Sequence, residues 1–581
     1  MRKYLSRRFF SQSNVMGEQR RPISGSVVPI LVPAIIAGIG LAGFAIDFSR
    51  ISNSRAHLQA ALDAAALAAA RARGSDEAEL EVLSRPYADA NLVNSGDLVL
   101  SSFDVNLLNS NTTVEVRASL IVPLAFGGLI GRSSVEIDGR SLTRIEIRPT
   151  RVSLVLDNTG STNNNGAIQG IRDAARVLVD TLLEDAGDDD DVLVGIVPYV
   201  TSVNIRNEEF DMAWMDVNGL SASHGIAFDE SAGPVNHFDL FDALGSIDQR
   251  AGWKGCVEAR AAPFDVTAEP PSPGNPNTLF VPYFWPDEPD APHSLNTNSQ
   301  WRNPTSNNLR ANYANDFFDL GASNTLDGGF ARNGWLQGPG AAIQNQRQAI
   351  LRDASRYINP ANQAQIAATL RIDDDPRSNP LPAIIGYPIS ISDAHTLGPN
   401  QSCPTPITPM TDDLDRLRTE ISGMIGWNGS GTNSAIGMNW GWMQLTPQAP
   451  FPVPPARNSD NELQRIMVLM TDGANVAVSA VTPNISQYSG YGYVDQGRLG
   501  TTNINQTVTR LDNLLLQMCT SAKNDGIVIY TVTFAASSTL QNIYRQCATT
   551  PTHFFNAPNA ATLVDVFGQI AREISDLRLA G

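Results

Sequence analysis

Histidine and cysteine are scarce in this chain, which has six and four of them among 581 residues. No C-x-x-C pair occurs, and the histidines show no spacing typical of metal ligands, so a zinc site is not expected. The sequence also lacks a phosphate-cradling glycine loop and any recognisable Ser-His-Asp or Cys-His arrangement. These absences argue against a hydrolase, and we expect a protein that is not an enzyme.

Basic residues are outnumbered by acidic ones, 41 to 59, which gives a net charge of −18. This balance argues against a general nucleic-acid-binding protein. The positive charge is unevenly spread, because residues 1–25 hold six basic residues and a single acidic one, Glu18. We predict a basic cytoplasmic tail over this segment.

An uncharged apolar run from Ser26 to Ile46 follows the basic tail. Its length is close to the ~20 residues that cross a bilayer as a helix. Because the basic residues precede the run, the positive-inside rule places the N-terminus in the cytoplasm and the rest of the chain outside. A cleaved signal peptide is the alternative, but its apolar core usually has only ~7–15 residues. We predict a single-pass anchor that contacts membrane lipid through residues 26–46.

The remaining chain changes character several times. Alanine-rich sequence without Pro or Gly continues the apolar run, so one helix is expected within residues 26–73. Residues 74–150 contain alternating and β-branched runs typical of a small α+β segment. From residue 151 strand and helix patterns alternate, which predicts a doubly wound α/β domain over 151–581. A segment rich in Pro, Asn and Gly at about 204–408 is too long for a loop and indicates an insertion.

The four cysteines are expected to form disulfides, because they lie in the exported part of the chain. Four cysteines allow three pairings. We favour Cys519–Cys547 as a local bridge, which leaves Cys256–Cys403 to hold the base of the insertion. The aromatic residues of the insertion, such as those at 280–286, form either a binding surface or the insertion's own core, and we favour the core.

Three short polar fragments lie far apart in the sequence: Asp157-Asn158-Thr159-Gly160-Ser161, Gly431-Thr432-Asn433 and Thr471-Asp472-Gly473. The first and third follow runs typical of buried strands, Val152–Leu156 and Ile466–Met470. The carboxyl ends of parallel strands share one sheet edge, where open α/β sheets place their ligands. Two carboxylates and three hydroxyls at this edge would suit a hard divalent cation.

These fragments resemble the three metal-site loops of von Willebrand factor type A domains. The first is similar to the D-x-[S/T]-G-S loop, with Thr159 in place of the more common serine, and the others are similar to the threonine and aspartate loops in the same order. The resemblance implies a metal-ion-dependent adhesion site that holds Mg²⁺, or Mn²⁺. It implies five metal ligands, some acting through water: Asp157, Thr159, Ser161, Thr432 and Asp472.

The apolar run and the sequence after it resemble the TadE/TadG-like proteins of the bacterial tight-adherence (Flp) pilus apparatus. The similar segments in the N-terminal half are Gly43–Asp47 and the alanine-rich stretch from Leu58 to Ala68. Further similarity lies in Trp253–Arg260, in Cys519–Ile527 and in the ending Ile574–Leu579.

This second resemblance implies a protein anchored in the bacterial inner membrane, with a cytoplasmic N-terminus and a periplasmic or cell-surface C-terminal bulk. It implies a role in assembling, anchoring or tipping the pilus. The expected partner is a protein, a component of the pilus or of the secretion apparatus, bound through a metal-bridged carboxylate. A structural stalk protein with a vestigial metal site is the alternative, and a metal-dependent hydrolase is a less favoured one.

Overall fold

The computed structural model describes residues 28–71, 76–92, 99–108, 113–144, 148–184, 191–288, 315, 317–318, 320, 325–326, 330–331, 341–370, 372, 396–427, 431–456, 463–477 and 484–579. The chain divides into two compact units, Met1–Ile145 and Glu146–Gly581. The basic tail predicted at residues 1–25 lies outside the described residues.

The first unit contains two helices and a three-stranded antiparallel sheet, in the order β1-β2-β3. The helices are α1 (Val28–Arg71) and α2 (Glu77–Leu92), and the strands are β1 (Val99–Leu108), β2 (Thr113–Pro123) and β3 (Ser134–Arg144). A short 3-10 turn, Gly127–Ile130, lies in the loop between β2 and β3.

Helix α1 has two parts with different surroundings. From Leu31 to Ala42 its side chains are exposed, whereas its later turns bury one stripe in the core of the unit. The members of this stripe recur three or four residues apart, as on one face of a helix: Leu58, Ala61, Leu62, Ala65, Ala66 and Ala69. Among the described helices, Leu31–Ala70 is the stretch long and apolar enough to cross a membrane, although a signal sequence passes the same test.

The second unit is built around an eight-stranded mixed sheet. Seven strands follow the order β13-β12-β11-β4-β5-β6-β7, and β10 pairs with β5. Its strands are β4 (Thr150–Asp157), β5 (Val192–Tyr199), β6 (Val203–Asn204), β7 (Cys256–Val257), β10 (Thr408–Thr411), β11 (Gln464–Thr471), β12 (Val528–Phe534) and β13 (Phe554–Ala557). The five strands from β13 to β5 run parallel. A separate two-stranded ribbon consists of β8 (Thr325–Leu326) and β9 (Phe330–Ala331).

Ten described helices accompany this sheet: α3 (Ala167–Glu184), α4 (His237–Gly245), α5 (Ala341–Leu351), α6 (Ser355–Ile358), α7 (Pro360–Thr369), α8 (Leu414–Gly423), α9 (Ser434–Gln444), α10 (Ile504–Asn524), α11 (Ser538–Cys547) and α12 (Ala560–Leu579). The central strands are apolar on both sides, because each side is covered. Val152, Leu154 and Leu156 pack in a core with residues of α3, α8 and α12. Val155 packs in a second core with residues of α9, α10 and α11.

The fold class predicted from the sequence is confirmed: a long apolar helix, a small antiparallel sheet, and then a mostly parallel sheet with helices on both faces. The division into segments ending at residues 25, 73 and 150, with an insertion at about 204–408, stays a prediction. Within that range Phe280, Tyr283 and Trp285 are buried, as expected for core side chains, but they lie in the second core together with Val155 and residues of α9, and not in a separate core of the insertion.

The structure contains two disulfides, Cys256–Cys403 and Cys519–Cys547. The first joins β7 to the segment that precedes β10, and the second joins α10 to the end of α11. All four cysteines of the chain are therefore paired.

Candidate functional site

Asp157 is the last residue of β4 and is fully buried. Its neighbours in the sheet are β5 on one side and β11 on the other. One carboxylate oxygen, Oδ1, accepts hydrogen bonds from the Thr159 backbone N–H at 2.9 Å and from Thr159 Oγ1 at 2.7 Å. The other, Oδ2, accepts a hydrogen bond of 2.7 Å from Thr471 Oγ1. The first loop and the end of β11 therefore meet at one carboxylate.

A continuous series of side-chain oxygens extends from Asp157. Thr159 Oγ1 lies 3.0 Å from Ser161 Oγ, and Ser161 Oγ donates to Asp472 Oδ1 at 2.7 Å. Thr432 Oγ1 donates to Thr159 Oγ1 at 3.3 Å. The structure thus brings together all five residues that the sequence singled out, with Thr159 at the centre of the group.

The threonine loop is held by hydrogen bonds to both neighbouring segments. The Asn433 N–H donates to the Val200 carbonyl at 2.9 Å, and the Val476 N–H donates to the Thr432 carbonyl at 2.9 Å. Asn433 also caps α9, because its side chain accepts a hydrogen bond from the Ile436 N–H. The position of Thr432 is therefore fixed by the segment after β5 on one side and by the segment after β11 on the other.

Burial and like charge dominate the electrostatics of the two carboxylates. Burial raises the pKa of Asp157, and hydrogen bonds from Thr159 and Thr471 partly offset this effect. Burial, together with the negative charge of Asp157, raises the pKa of Asp472 to about 7. Two anions held this close would repel each other strongly, so the arrangement favours a proton or a cation between them.

Two positioning residues were missed by the sequence reasoning. Thr471 was seen only as part of the third fragment, yet its hydroxyl donates to Asp157. Asn475 accepts from the Ser434 N–H at 2.8 Å and donates to Asp512 Oδ1 at 2.8 Å, which ties the third loop to α9 and α10. The one sequence signal for Asn475 is its position two residues after the third fragment.

The donor set consists of two carboxylates and three neutral hydroxyls. Among the described residues, no group of three or more His, Cys, Asp and Glu side chains is placed to hold a metal ion. Any ion at this cluster would therefore depend on the hydroxyls, a donor chemistry that suits Mg²⁺ or Mn²⁺ better than zinc.

Comparison with known families gives one match, in the N-terminal part of the chain. Residues 25–72 match the family model described as putative Flp pilus-assembly TadE/G-like. The matched residues include the apolar run and all of α1. No curated protein sequence matches the chain significantly.

Solved structures similar to this chain include pilus proteins. The vWF domain of the type V pili tip protein Mfa5 from Porphyromonas gingivalis is 11% identical, with 75% of this chain and 98% of that chain covered and a TM-score of 0.30. The pilus adhesin SpaC from Lactobacillus rhamnosus GG is 10% identical, with 82% of this chain covered and a TM-score of 0.28. This chain spans about a third of SpaC, because only 34% of that chain is covered.

A third similar structure is proximal thread matrix protein 1 from the mussel byssus, which has a zinc-occupied MIDAS motif. It is 12% identical, with 74% of this chain and 96% of that chain covered and a TM-score of 0.17. TM-scores of this size are too low to support a conclusion about the present chain. Its fold and its site are therefore described from its own geometry alone.

Proposed function

We propose that this chain is a membrane-anchored assembly or adhesion protein of a bacterial tight-adherence pilus, and that it binds a protein partner through a divalent cation. The observation that carries the proposal is the cluster of five side-chain oxygen donors at the carboxyl edge of the sheet. The cation would be Mg²⁺ or Mn²⁺, held by Asp157, Thr159, Ser161, Thr432 and Asp472, some of them through water.

The spacing of the oxygens fits such an ion. Mg²⁺ takes oxygen ligands at about 2.1 Å in octahedral geometry, so neighbouring ligands lie about 3.0 Å apart. The contacts within the cluster are 3.0 Å for Thr159–Ser161, 3.3 Å for Thr432–Thr159 and 2.7 Å for Ser161–Asp472. The hydroxyls are therefore already at ligand-to-ligand distances.

The charge of the cluster fits as well. A divalent cation would offset the repulsion between the two buried carboxylates, and the neutral hydroxyls would add no further negative charge. Five side chains leave at least one of six positions for water or for a carboxylate of the partner. An acidic group on a protein partner could complete the shell, and binding would then require the metal.

Two features outside the cluster support a location of this site on the outer side of the inner membrane. The TadE/G-like domain at residues 25–72 and the apolar length of α1 favour an anchor in the inner membrane, with the N-terminus in the cytoplasm. Two disulfides in the second unit favour an oxidising compartment, such as the periplasm or the cell surface. A component of the pilus or of its secretion apparatus is the partner class that fits this setting.

The test is a titration of the purified full chain with Mg²⁺ and Mn²⁺ by calorimetry. It compares the wild type with Asp157→Ala, with Ser161→Ala and with Asp565→Ala, whose exposed side chain lies on α12 and is not one of the five cluster residues. We expect binding to be lost in the first variant, weakened in the second and retained in the third. Equal or absent binding in all four proteins would favour a structural stalk with a vestigial site.

Partner binding is tested separately, by capture of pilus and secretion-apparatus components on the tagged chain in Mg²⁺ and in EDTA. We expect a captured component to be released by EDTA and to be absent with Asp157→Ala. A component that stays bound in EDTA would contradict the metal-bridged contact.

A further inference from the structure

The loop between β2 and β3 contains an apolar, glycine-rich sequence that the proposed function does not use. We call residues 124–131, Leu-Ala-Phe-Gly-Gly-Leu-Ile-Gly, the glycine loop. It carries no charged residue, and Arg132 follows it directly. Phe126 is exposed over 36% of its surface.

The glycine loop is fixed against α1 by Asp47. This side chain is buried, and its two carboxylate oxygens accept hydrogen bonds from the N–H groups of Ala125 at 2.7 Å and Phe126 at 3.0 Å. One turn earlier on α1, Gly43 packs under the Phe126 ring, because a Cβ at Gly43 would lie 2.7 Å from the Cγ of that ring. These contacts fix the position of the loop along the axis of α1, beside Gly43 and Asp47.

This position corresponds to the C-terminal end of the apolar run of α1. Gly43 precedes Asp47 by four residues, which is about 6 Å of helix, and it lies within the run from Ser26 to Ile46. A side chain that packs on Gly43 must lie at the depth of the last turn of a membrane-spanning segment. The exposed Phe44 and Phe48, stacked at 6.2 Å, lie on the same part of α1.

Several N–H groups at the two ends of the loop are paired, which lowers the cost of placing them where water is scarce. Besides the two bonds to Asp47, Leu124 N–H donates to the Ser133 carbonyl at 2.9 Å, Gly131 N–H to Gly128 at 3.3 Å and Arg132 N–H to Gly127 at 3.0 Å. Gly131 makes the closing turn possible, because its φ of +79° is strained for other residues.

We propose that the glycine loop is a second membrane contact of this protein, lying in the headgroup region of the bilayer beside α1. The inference rests on the proposed anchoring of α1. Phe126 would enter the boundary between headgroups and acyl chains, as the apolar faces of interfacial segments do. Arg50 on α1 and Arg132 after the loop, both exposed, would lie near the phosphates of anionic lipids. The first unit would thus be held at two points.

The experiment uses single cysteines labelled with an environment-sensitive nitrobenzoxadiazole dye. All native cysteines are in disulfides, so an introduced thiol is labelled alone without reductant. Gly128→Cys places the dye on the loop, where an added side chain meets nothing within 4 Å. Leu142→Cys is the control, since it is 50% exposed on β3 and pairs with Glu115. It lies roughly 26 Å along the sheet from the loop.

A third label, Ile36→Cys, reports on the span itself, because Ile36 is 65% exposed on α1. The full chain is placed in vesicles of phosphatidylcholine and phosphatidylglycerol, with and without a lipid carrying a nitroxide high on its acyl chain. We expect the dyes at 36 and 128 to be blue-shifted and quenched, and the dye at 142 to be neither.

Quenching at 36 together with equal, water-like emission at 128 and 142 would overturn the loop contact while leaving the anchor intact. Water-like emission at all three positions would overturn both the anchor and the loop contact that rests on it. Loss of the effect at 128 in vesicles of phosphatidylcholine alone would assign the contact to the anionic headgroups and support the roles of Arg50 and Arg132.

Discussion

Ser161 donates a hydrogen bond of 2.7 Å to Asp472, although 311 residues separate the two in the chain. The contact closes the series of oxygens that starts at Asp157 and passes through Thr159. It spans the insertion predicted at about 204–408 and joins the loop after β4 to the loop after β11. The first and third loops are adjacent because β4 and β11 are neighbours in the sheet.

The hydroxyl of Thr159 is expected to be the part of this residue that matters for metal binding. Thr159→Val keeps the shape of the side chain but removes the oxygen that contacts Asp157, Ser161 and Thr432. We expect the affinity for Mn²⁺ to fall by about tenfold or more, equivalent to roughly 1.4 kcal/mol. Thr159→Ser, the matched control, keeps the hydroxyl and should retain binding. Equal affinities of the two variants in a calorimetric titration would contradict a ligand role for this hydroxyl.

Thr471 is expected to contribute to stability through Asp157. Thr471→Val removes a donor from a fully buried carboxylate, and an unsatisfied buried group costs about 1–3 kcal/mol, or more when it is charged. We expect the urea midpoint of the second unit to fall accordingly. Thr520→Val on α10 is the control, because that hydroxyl is exposed and donates only within its own helix. An unchanged midpoint for Thr471→Val would show that Asp157 finds another donor.

Glu288 is expected to make the stability of the second unit dependent on pH. It is fully buried and accepts hydrogen bonds from the Tyr493 hydroxyl at 2.7 Å and the Asn315 N–H at 3.0 Å. Burial raises its pKa from 4.5 to about 7. Between these values the folded protein holds a proton that the unfolded chain releases. The contribution of this group is therefore complete below pH about 4.5 and is lost as the pH rises through about 7.

Glu288→Gln imitates the protonated side chain and removes this dependence. We expect the variant to show a smaller fall in melting temperature than the wild type between pH about 5 and about 8, a range that spans the folded pKa of Glu288. Glu230→Gln, at an exposed position, should follow the wild type. Parallel curves for Glu288→Gln and the wild type in scanning calorimetry would mean that Glu288 does not titrate in this range.

Arg151 is expected to be a large single contributor to the stability of the sheet. Its side chain is fully buried and forms an ion pair of 2.9 Å with Asp191, and it also donates to the carbonyls of Pro454 and Pro455. Removing one partner of a buried ion pair costs about 3–5 kcal/mol, so Arg151→Ala should be strongly destabilised in urea. Arg416→Ala breaks a partly exposed pair with Glu208 and should change stability by about 1 kcal/mol or less. Similar losses in the two variants would refute the importance of burial here.

Much of the fold could be predicted from local sequence. The strands around Leu154 and Val468 are apolar on both faces, which is typical of parallel strands covered by helices. The alanine-rich turns of α1 favour a helix, and no Pro or Gly interrupts them. The proximity of Asp157 and Asp472 followed from their positions just after such strands.

The supporting contacts could not be predicted, because they depend on strand register and on distant loops. Met470 pairs with Leu156, so Thr471 comes to lie beside Asp157. Both strands are apolar on both faces, so their hydrophobic pattern does not single out that register. Asp47 marked only the end of the apolar run in the sequence. Its hydrogen bonds to Ala125 and Phe126 reach 78 and 79 residues ahead, beyond the range of any pattern within one element.

The Cys256–Cys403 bond has a practical consequence for any processed form of this protein. The two cysteines are 147 positions apart, so a single proteolytic cut anywhere between them produces two fragments that stay covalently joined. Such a nicked molecule would migrate at its full mass on a non-reducing gel and separate only after a thiol is added. Gels run without reductant would therefore not show cleavage in this segment.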